Sequence, residues 1–125
     1  MNKKKSVLIV EDDQFISKAF KETFEAEGFV VKVAFNGEEA LSILRKFMPD
    51  IILLDLVMPV KNGFEVLKDV KRQDKLSKIP IIVATNLGEE QYIVKAKEMG
   101  ANDYILKSEL SLSDLVKKVK LRLGI

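Results

Sequence analysis

Short β-branched runs alternate with longer amphipathic stretches along all 125 residues, and no other feature restricts the fold as strongly. Ser6–Val10 (SVLIV) reads as a strand. Phe15, Ile16, Ala19, Phe20, Thr23 and Phe24 then recur at helical spacing, and Gly28 supplies the stop. Val30–Ala34 is a second strand. Asn36 with Glu39 has the spacing of a capping box, opening a helix that buries Ala40, Leu41, Leu44 and Phe47 and ends at Pro49. Residues 50–55 form a third strand, nearly continuous in apolar side chains, as expected where both faces are covered. Asn62-Gly63 makes a turn, and Phe64, Leu67 and Val70 form the inner stripe of a third helix. Residues 79–84 read as the fourth strand, with Pro80 tolerated at its start. A helix over about 89–99 stops at Gly100, and residues 101–106 are the fifth strand. Ser111 with Asp114 then precedes a last helix carrying Leu112, Leu115, Val116, Val119 and Leu123.

Five strands alternating with five helices, without a linker, imply parallel strands joined by right-handed crossovers over both faces of one sheet. The expectation is a doubly wound, three-layer α/β sandwich forming one domain over residues 1–125. In such sheets ligands gather beyond the carboxyl ends of the strands. The first strand ends in Glu11, Asp12 and Asp13, the third in Asp55, the fourth in Thr85 and the fifth in Lys107. The second ends in Phe35-Asn36 and offers no charge.

Composition narrows the chemistry available to that rim. With no cysteine and no histidine there is no disulfide framework, thiolate metal site, histidine base or histidine phosphocarrier in this chain. No apolar run approaches the ~20 residues of a membrane span, and Ser6–Val10 is too short for a signal-peptide core. A cytoplasmic protein is therefore expected. Net charge is +2, and the lysines near both ends read as helix faces and solvated termini, so direct nucleic-acid binding is not expected.

The run IILLDLVMP, residues 51–59, sets Asp55 inside an oily strand, where an unpaired carboxylate would be expensive. Carboxylates from two strand ends repel one another and raise a pKa unless a cation sits among them. A hard divalent ion suits such oxygen ligands, and magnesium suits a site with few carboxylates whose coordination waters and phosphate oxygens complete. Lys107 and Thr85 add a positive charge and a hydroxyl for a multi-oxygen anion. This is equipment for phosphoryl transfer, where alignment and charge neutralisation dominate, and a carboxylate can itself be the nucleophile. Singly, each acid reads as a solvated loop cap; four strand ends contributing at once favour a site.

In these residues the chain resembles the receiver domains of bacterial two-component response regulators (the CheY-like family). The resemblance covers essentially the whole sequence through VLIVEDD (7–13), DIILLDLVMPVKNGFEVL (50–67), PIIVATN (80–86) and GANDYILK (100–107). It implies the strand order 2-1-3-4-5 and Asp55 as phosphoacceptor. It further implies Mg2+, or Mn2+, held by Asp12, Asp55 and the Val57 backbone carbonyl, with Glu11 acting through water. Thr85 and Lys107 would bind the phosphoryl group as catalytic partners of Asp55, and Tyr104 would swing inward as Thr85 moves. The implied function is a phosphorylation-dependent switch, not an enzyme except toward its own phosphorylation and dephosphorylation. Phosphorylation would alter the face built by the fourth helix, fifth strand and fifth helix. The implied partners are a sensor histidine kinase or histidine phosphotransfer protein, docking near Gln14, Phe15 and Lys18, and a downstream protein target. A monomer or a phosphorylation-linked dimer is expected.

The sequence departs from the family pattern at four positions. Ser108 follows Lys107 where the family usually has proline, and Glu11 replaces the commoner aspartate. Val57 and Leu87, two positions beyond Asp55 and Thr85, are apolar, so slow loss of the phosphoryl group is expected. Val57→Asn with Leu87→Glu should then speed decay; an unchanged rate would sink that expectation. Three alternatives stand beside the switch. An aspartate-nucleophile phosphatase needs a second aspartate where Val57 stands. A flavin or dinucleotide binder needs glycines where Glu11-Asp12-Asp13 stand. A receiver-like module that is never phosphorylated retains no reason for the full acidic set.

Overall fold

Uninterrupted Val, Ile and Leu make strands that need cover on both faces, and the computed structural model, which describes residues 4–125, supplies it. Five parallel strands lie in the order β2-β1-β3-β4-β5: β1 (Ser6–Val10), β2 (Val30–Ala34), β3 (Ile51–Leu54), β4 (Ile81–Thr85) and β5 (Asp103–Leu106). Helices α1 (Gln14–Ala26) and α5 (Leu112–Leu123) cover one face. Helices α2 (Gly37–Leu44), α3 (Gly63–Arg72) and α4 (Glu90–Glu98) cover the other. The doubly wound order and layering are those expected from the sequence.

Each face has its own core because alternate strand residues point opposite ways. Leu8, Val10, Ile52, Leu54, Ile81 and Val83 meet Ala40, Leu44, Leu67, Val70 and Ala96. Val7, Ile9, Ile51, Leu53 and Ile82 meet Phe20, Phe24, Leu115, Val116 and Val119. Phe24 is wholly buried and packs edge-on against Phe29 with ring centroids 5.3 Å apart. Each such side chain contributes about 1.5–3 kcal/mol by leaving water, so the sheet is a stiff platform for whatever its ends carry.

Element ends shifted where local hydrogen bonding competed with the apolar pattern. Asp50 lies outside β3, because its carboxylate takes the Ser6 N–H at 2.8 Å and locks the start of β1. Helix α2 stops at Leu44, leaving Phe47 half-buried beyond it rather than inside the helix. Ile79 closes a 3₁₀ turn (Leu76–Lys78), so β4 begins after Pro80 and runs on to Thr85. Asn36 caps Glu39 N–H at 2.9 Å, but the Glu39 carboxylate returns to Phe35 N–H at 2.8 Å, one residue earlier than in a standard box. The reciprocal capping box sits at Asn62 and Glu65, where the sequence reading saw only a turn. No cis peptide occurs among the described residues, so the Lys107–Ser108 bond is trans.

Candidate functional site

Four polar residues are buried among those described, and three of them, Glu11, Asp55 and Thr85, stand at the carboxyl ends of β1, β3 and β4. Strand register puts them side by side: Val10 pairs with Leu54 and Leu54 with Val83, so the residues that follow meet along one rim. The backbone holds them there, with Glu11 N–H donating to Ala34 O at 2.9 Å and Asp55 N–H to Val10 O at 3.0 Å. Lys107 N–H donates to Thr85 O at 2.9 Å, which carries the β5 end to the same edge.

The side chains converge accordingly. Lys107 Nζ donates to Glu11 Oε1 at 2.6 Å and to Asp55 Oδ2 at 3.2 Å, with all three side chains largely shielded from water. Burial pushes the Glu11 carboxyl above its ordinary range, against the pull of Lys107. For Lys107 burial opposes the charge, yet the Glu11 hydrogen bond and the Asp55 and Glu11 charges outweigh it and raise the ammonium's pKa. Asp12 is exposed, and oxygens of Glu11, Asp12 and Asp55 lie within 4.8 Å of one another. Such an all-oxygen trio is the donor set hard divalent cations take, so the residues present fit the metal expected from the sequence. Asp13 does not join them: its carboxylate accepts Ile16 N–H at 3.0 Å and caps α1.

The loop after β3 is set to hold Asp55. Val57 N–H approaches Asp55 Oδ1 at 3.4 Å, while the Val57 side chain is exposed. Val60 sits at φ 68°, and Lys61 N–H donates to Pro59 O at 2.7 Å, closing a three-residue turn that costs a β-branched residue strain. Gly63 N–H then donates to Leu56 O at 3.0 Å. A Cβ on Gly63 would strike the Asp55 carbonyl oxygen and lie 2.7 Å from Leu56 Cα, so only glycine lets α3 start this close.

On the other side, Thr85 Oγ1 accepts Leu87 N–H at 3.4 Å, and Tyr104 donates its hydroxyl to Leu87 O at 2.6 Å. Burial, helped by the charges of Glu89 and Asp55, raises the Tyr104 pKa and keeps that donor protonated. The sequence reading paired Thr85 with Tyr104 but missed Leu87, which gives its N–H to one and its carbonyl oxygen to the other. It also missed the Glu11–Lys107 bond, because nothing in spacing alone says that a glutamate at position 11 reaches the lysine. The arrangement can hold a cation beside a carboxylate nucleophile and offer an ammonium and a hydroxyl to incoming oxygens.

Comparison with known proteins agrees on the class. The family model described as response regulator receiver domain matches residues 7–120, and the chain belongs to that family. It is 35% identical over 103 residues to the chemotaxis protein CheY of Halobacterium salinarum, covering 82% of this chain and 84% of that protein. It is 37% identical over 102 residues to the probable transcriptional regulator ycf29 of Porphyra purpurea, covering 82% of this chain and 49% of that protein. The chain thus spans about half the length of the transcriptional regulators it matches. Among solved structures, a CheY-like receiver domain of Methanospirillum hungatei superposes with a TM-score of 0.91 at 28% identity, covering 98% of this chain and 95% of that one. The Mn2+-bound form of the response regulator Rcp1 gives 0.80 at 31% identity, covering 93% and 89%. No described helix is long and apolar enough to cross a membrane.

Proposed function

We propose that residues 1–125 form a receiver domain acting as a phosphorylation-dependent switch, with Asp55 as the phosphoacceptor. The observation that carries this is the meeting of buried Glu11 and Asp55 with Asp12 and Lys107 at the strand ends. Asp12, Asp55 and the Val57 carbonyl would hold Mg2+ or Mn2+, with Glu11 reaching it through water; a Mn2+-bound neighbour of the same fold supports this. When bound, the ion neutralises charge on the transferring phosphoryl group.

The chain's own residues do the rest. An Asp55 oxygen attacks the phosphorus of a phosphohistidine on a sensor kinase or phosphotransfer protein. The O–P bond forms as the N–P bond breaks, and the electron pair returns to the donor's imidazole. Lys107, pulled between Glu11 and Asp55 at rest, exchanges carboxylate contacts for phosphoryl oxygens. Thr85 gives up the Leu87 N–H and donates its hydroxyl to the new group, freeing the loop to which Tyr104 is tied. Interactions that exist only in the modified state shift a two-state equilibrium. The readout is the α4-β5-α5 face, and a downstream protein target reads it by contact. Turnover of external phosphate esters is not part of this role, since exposed Val57 stands where a general acid would be needed. The test is incubation with Mg2+ and a small acyl phosphate, then intact-mass measurement. One added phosphoryl group is expected, and it is lost in Asp55→Asn or with chelator; an unmodified wild-type chain, or a modified Asp55→Asn, overturns the proposal.

A further inference from the structure

A groove of about 550 Å³ lies on the outer flank of the molecule between α1 and the edge strand β2. Its walls are Gln14, Ser17, Lys18 and Lys21 of α1, with Val31, Lys32, Val33 and Phe35 along and just after β2. Three lysines line it and no carboxylate does. Val31 and Val33 are half-buried and pack on the α1 side, while Lys32 turns to the opposite face, its Nζ 6.0 Å from the Phe47 ring centroid.

Among the described residues, strand β2 has β1 on one side and no strand on the other. Val30 N–H donates to Lys5 O and Ala34 O accepts from Glu11 N–H, each at 2.9 Å, so residues 30 and 34 face the sheet. In a parallel ladder bonding alternates along the strand, and the peptide groups of Val31 and Val33 therefore point outward. An edge of this kind is a template for another strand.

We propose that this groove is a docking site for an acidic, extended segment of a partner protein, which adds a strand to the β2 edge. Main-chain bonds to Val31 and Val33 would set its position, and carboxylates alternating along it would meet Lys18 and Lys21 on one face or Lys32 on the other. A second copy of this chain is excluded by the same charges, since edge-to-edge pairing would bring both lysine sets together. The apolar floor and outward peptide groups suit a polypeptide better than a phosphate backbone. The proposal rests on the edge geometry and the three lysines and stands independently of any chemistry at Asp55.

The probe is a short synthetic peptide of alternating glutamate and valine, titrated into the full 15N-labelled chain and followed by amide shifts. Shifts confined to residues 14–21 and 30–35 are expected, with the Val31 and Val33 amides moving most. Lys21→Glu with Lys32→Glu should weaken binding about tenfold or more, because it reverses two of the three charges. Val33→Pro, which removes an outward-facing N–H that the β1 ladder does not use, should abolish it; thermal midpoints check that both variants fold. A peptide N-methylated at alternate amides should not bind. Equal binding of the methylated peptide, shifts elsewhere, no saturable binding, or stronger shifts of the same residues by duplex DNA would each overturn the proposal.

Discussion

Helices α3 and α4 flank the acidic rim and are almost equal in length, at 10 and 9 residues, yet they are held very differently. Helix α3 buries Val66, Leu67 and Val70, starts in a reciprocal capping box, and is pinned to the preceding loop by Lys61 Nζ to Asp69 Oδ2 at 2.6 Å. Helix α4 buries only Ala96, has no side-chain cap at Glu89, and leans on its neighbour through Tyr92 and Lys95 against Phe64. The well-packed helix anchors the loop that carries Asp55. The sparsely packed one follows the loop that carries Leu87, where Thr85 and Tyr104 meet. A rigid rim beside a responsive flank is what the proposed switch needs, because elements with few buried contacts change state at low cost.

The contrast can be broken most severely in α3. Leu67→Ala should cost about 2–5 kcal/mol in urea unfolding, whereas the half-exposed Val94→Ala in α4 should cost less than about 1. Equal losses would erase the difference. Gly63→Ala comes next, at about 1–3 kcal/mol, since its methyl group has no space beside Asp55 and Leu56. It should also slow phosphorylation by shifting Asp55. Gly88→Ala meets nothing nearer than a Leu106 methyl at 3.5 Å and should leave the rim in place.

Caps sharpen the same comparison at smaller scale. Asn62→Ala should remove about 1 kcal/mol, and Glu89→Ser, which gives α4 the cap it lacks, should add up to about 1. The pH dependence is a further probe of the rim. A lysine whose folded pKa is raised contributes stability fully present below its ordinary 10.5 and lost as pH rises through the folded value. The wild-type chain should therefore lose stability relative to Lys107→Met as alkaline pH passes that value. Urea midpoints of the two proteins, compared across the range, check the sign.

Most of this architecture was legible because the apolar code is redundant: β1, β3 and β4 are nearly uninterrupted and admit no other reading. The rim was legible because Glu11, Asp55, Thr85 and Lys107 each follow or close a strand. What escaped was decided by short polar side chains with more than one possible partner. Asp13 looked like a third rim acid but answers the unpaired N–H groups of α1. Asp50 looked like strand but secures Ser6. Asn62-Gly63 looked like a turn, although Glu65 three residues on already carried the capping signal. The Leu87 carbonyl that receives Tyr104 leaves no trace in sequence, because backbone acceptors are the same at every residue.

Hydrogen exchange before and after phosphorylation, read by peptide mass spectrometry with Asp55→Asn as control, tests the stiff and responsive flanks together. Protection should change across the β4–α4 loop, α4 and β5, stay constant across α3, and not change at all in the control. Equal changes in α3 and α4, or the same changes in Asp55→Asn, would contradict a switch built on one anchored and one loosely held helix.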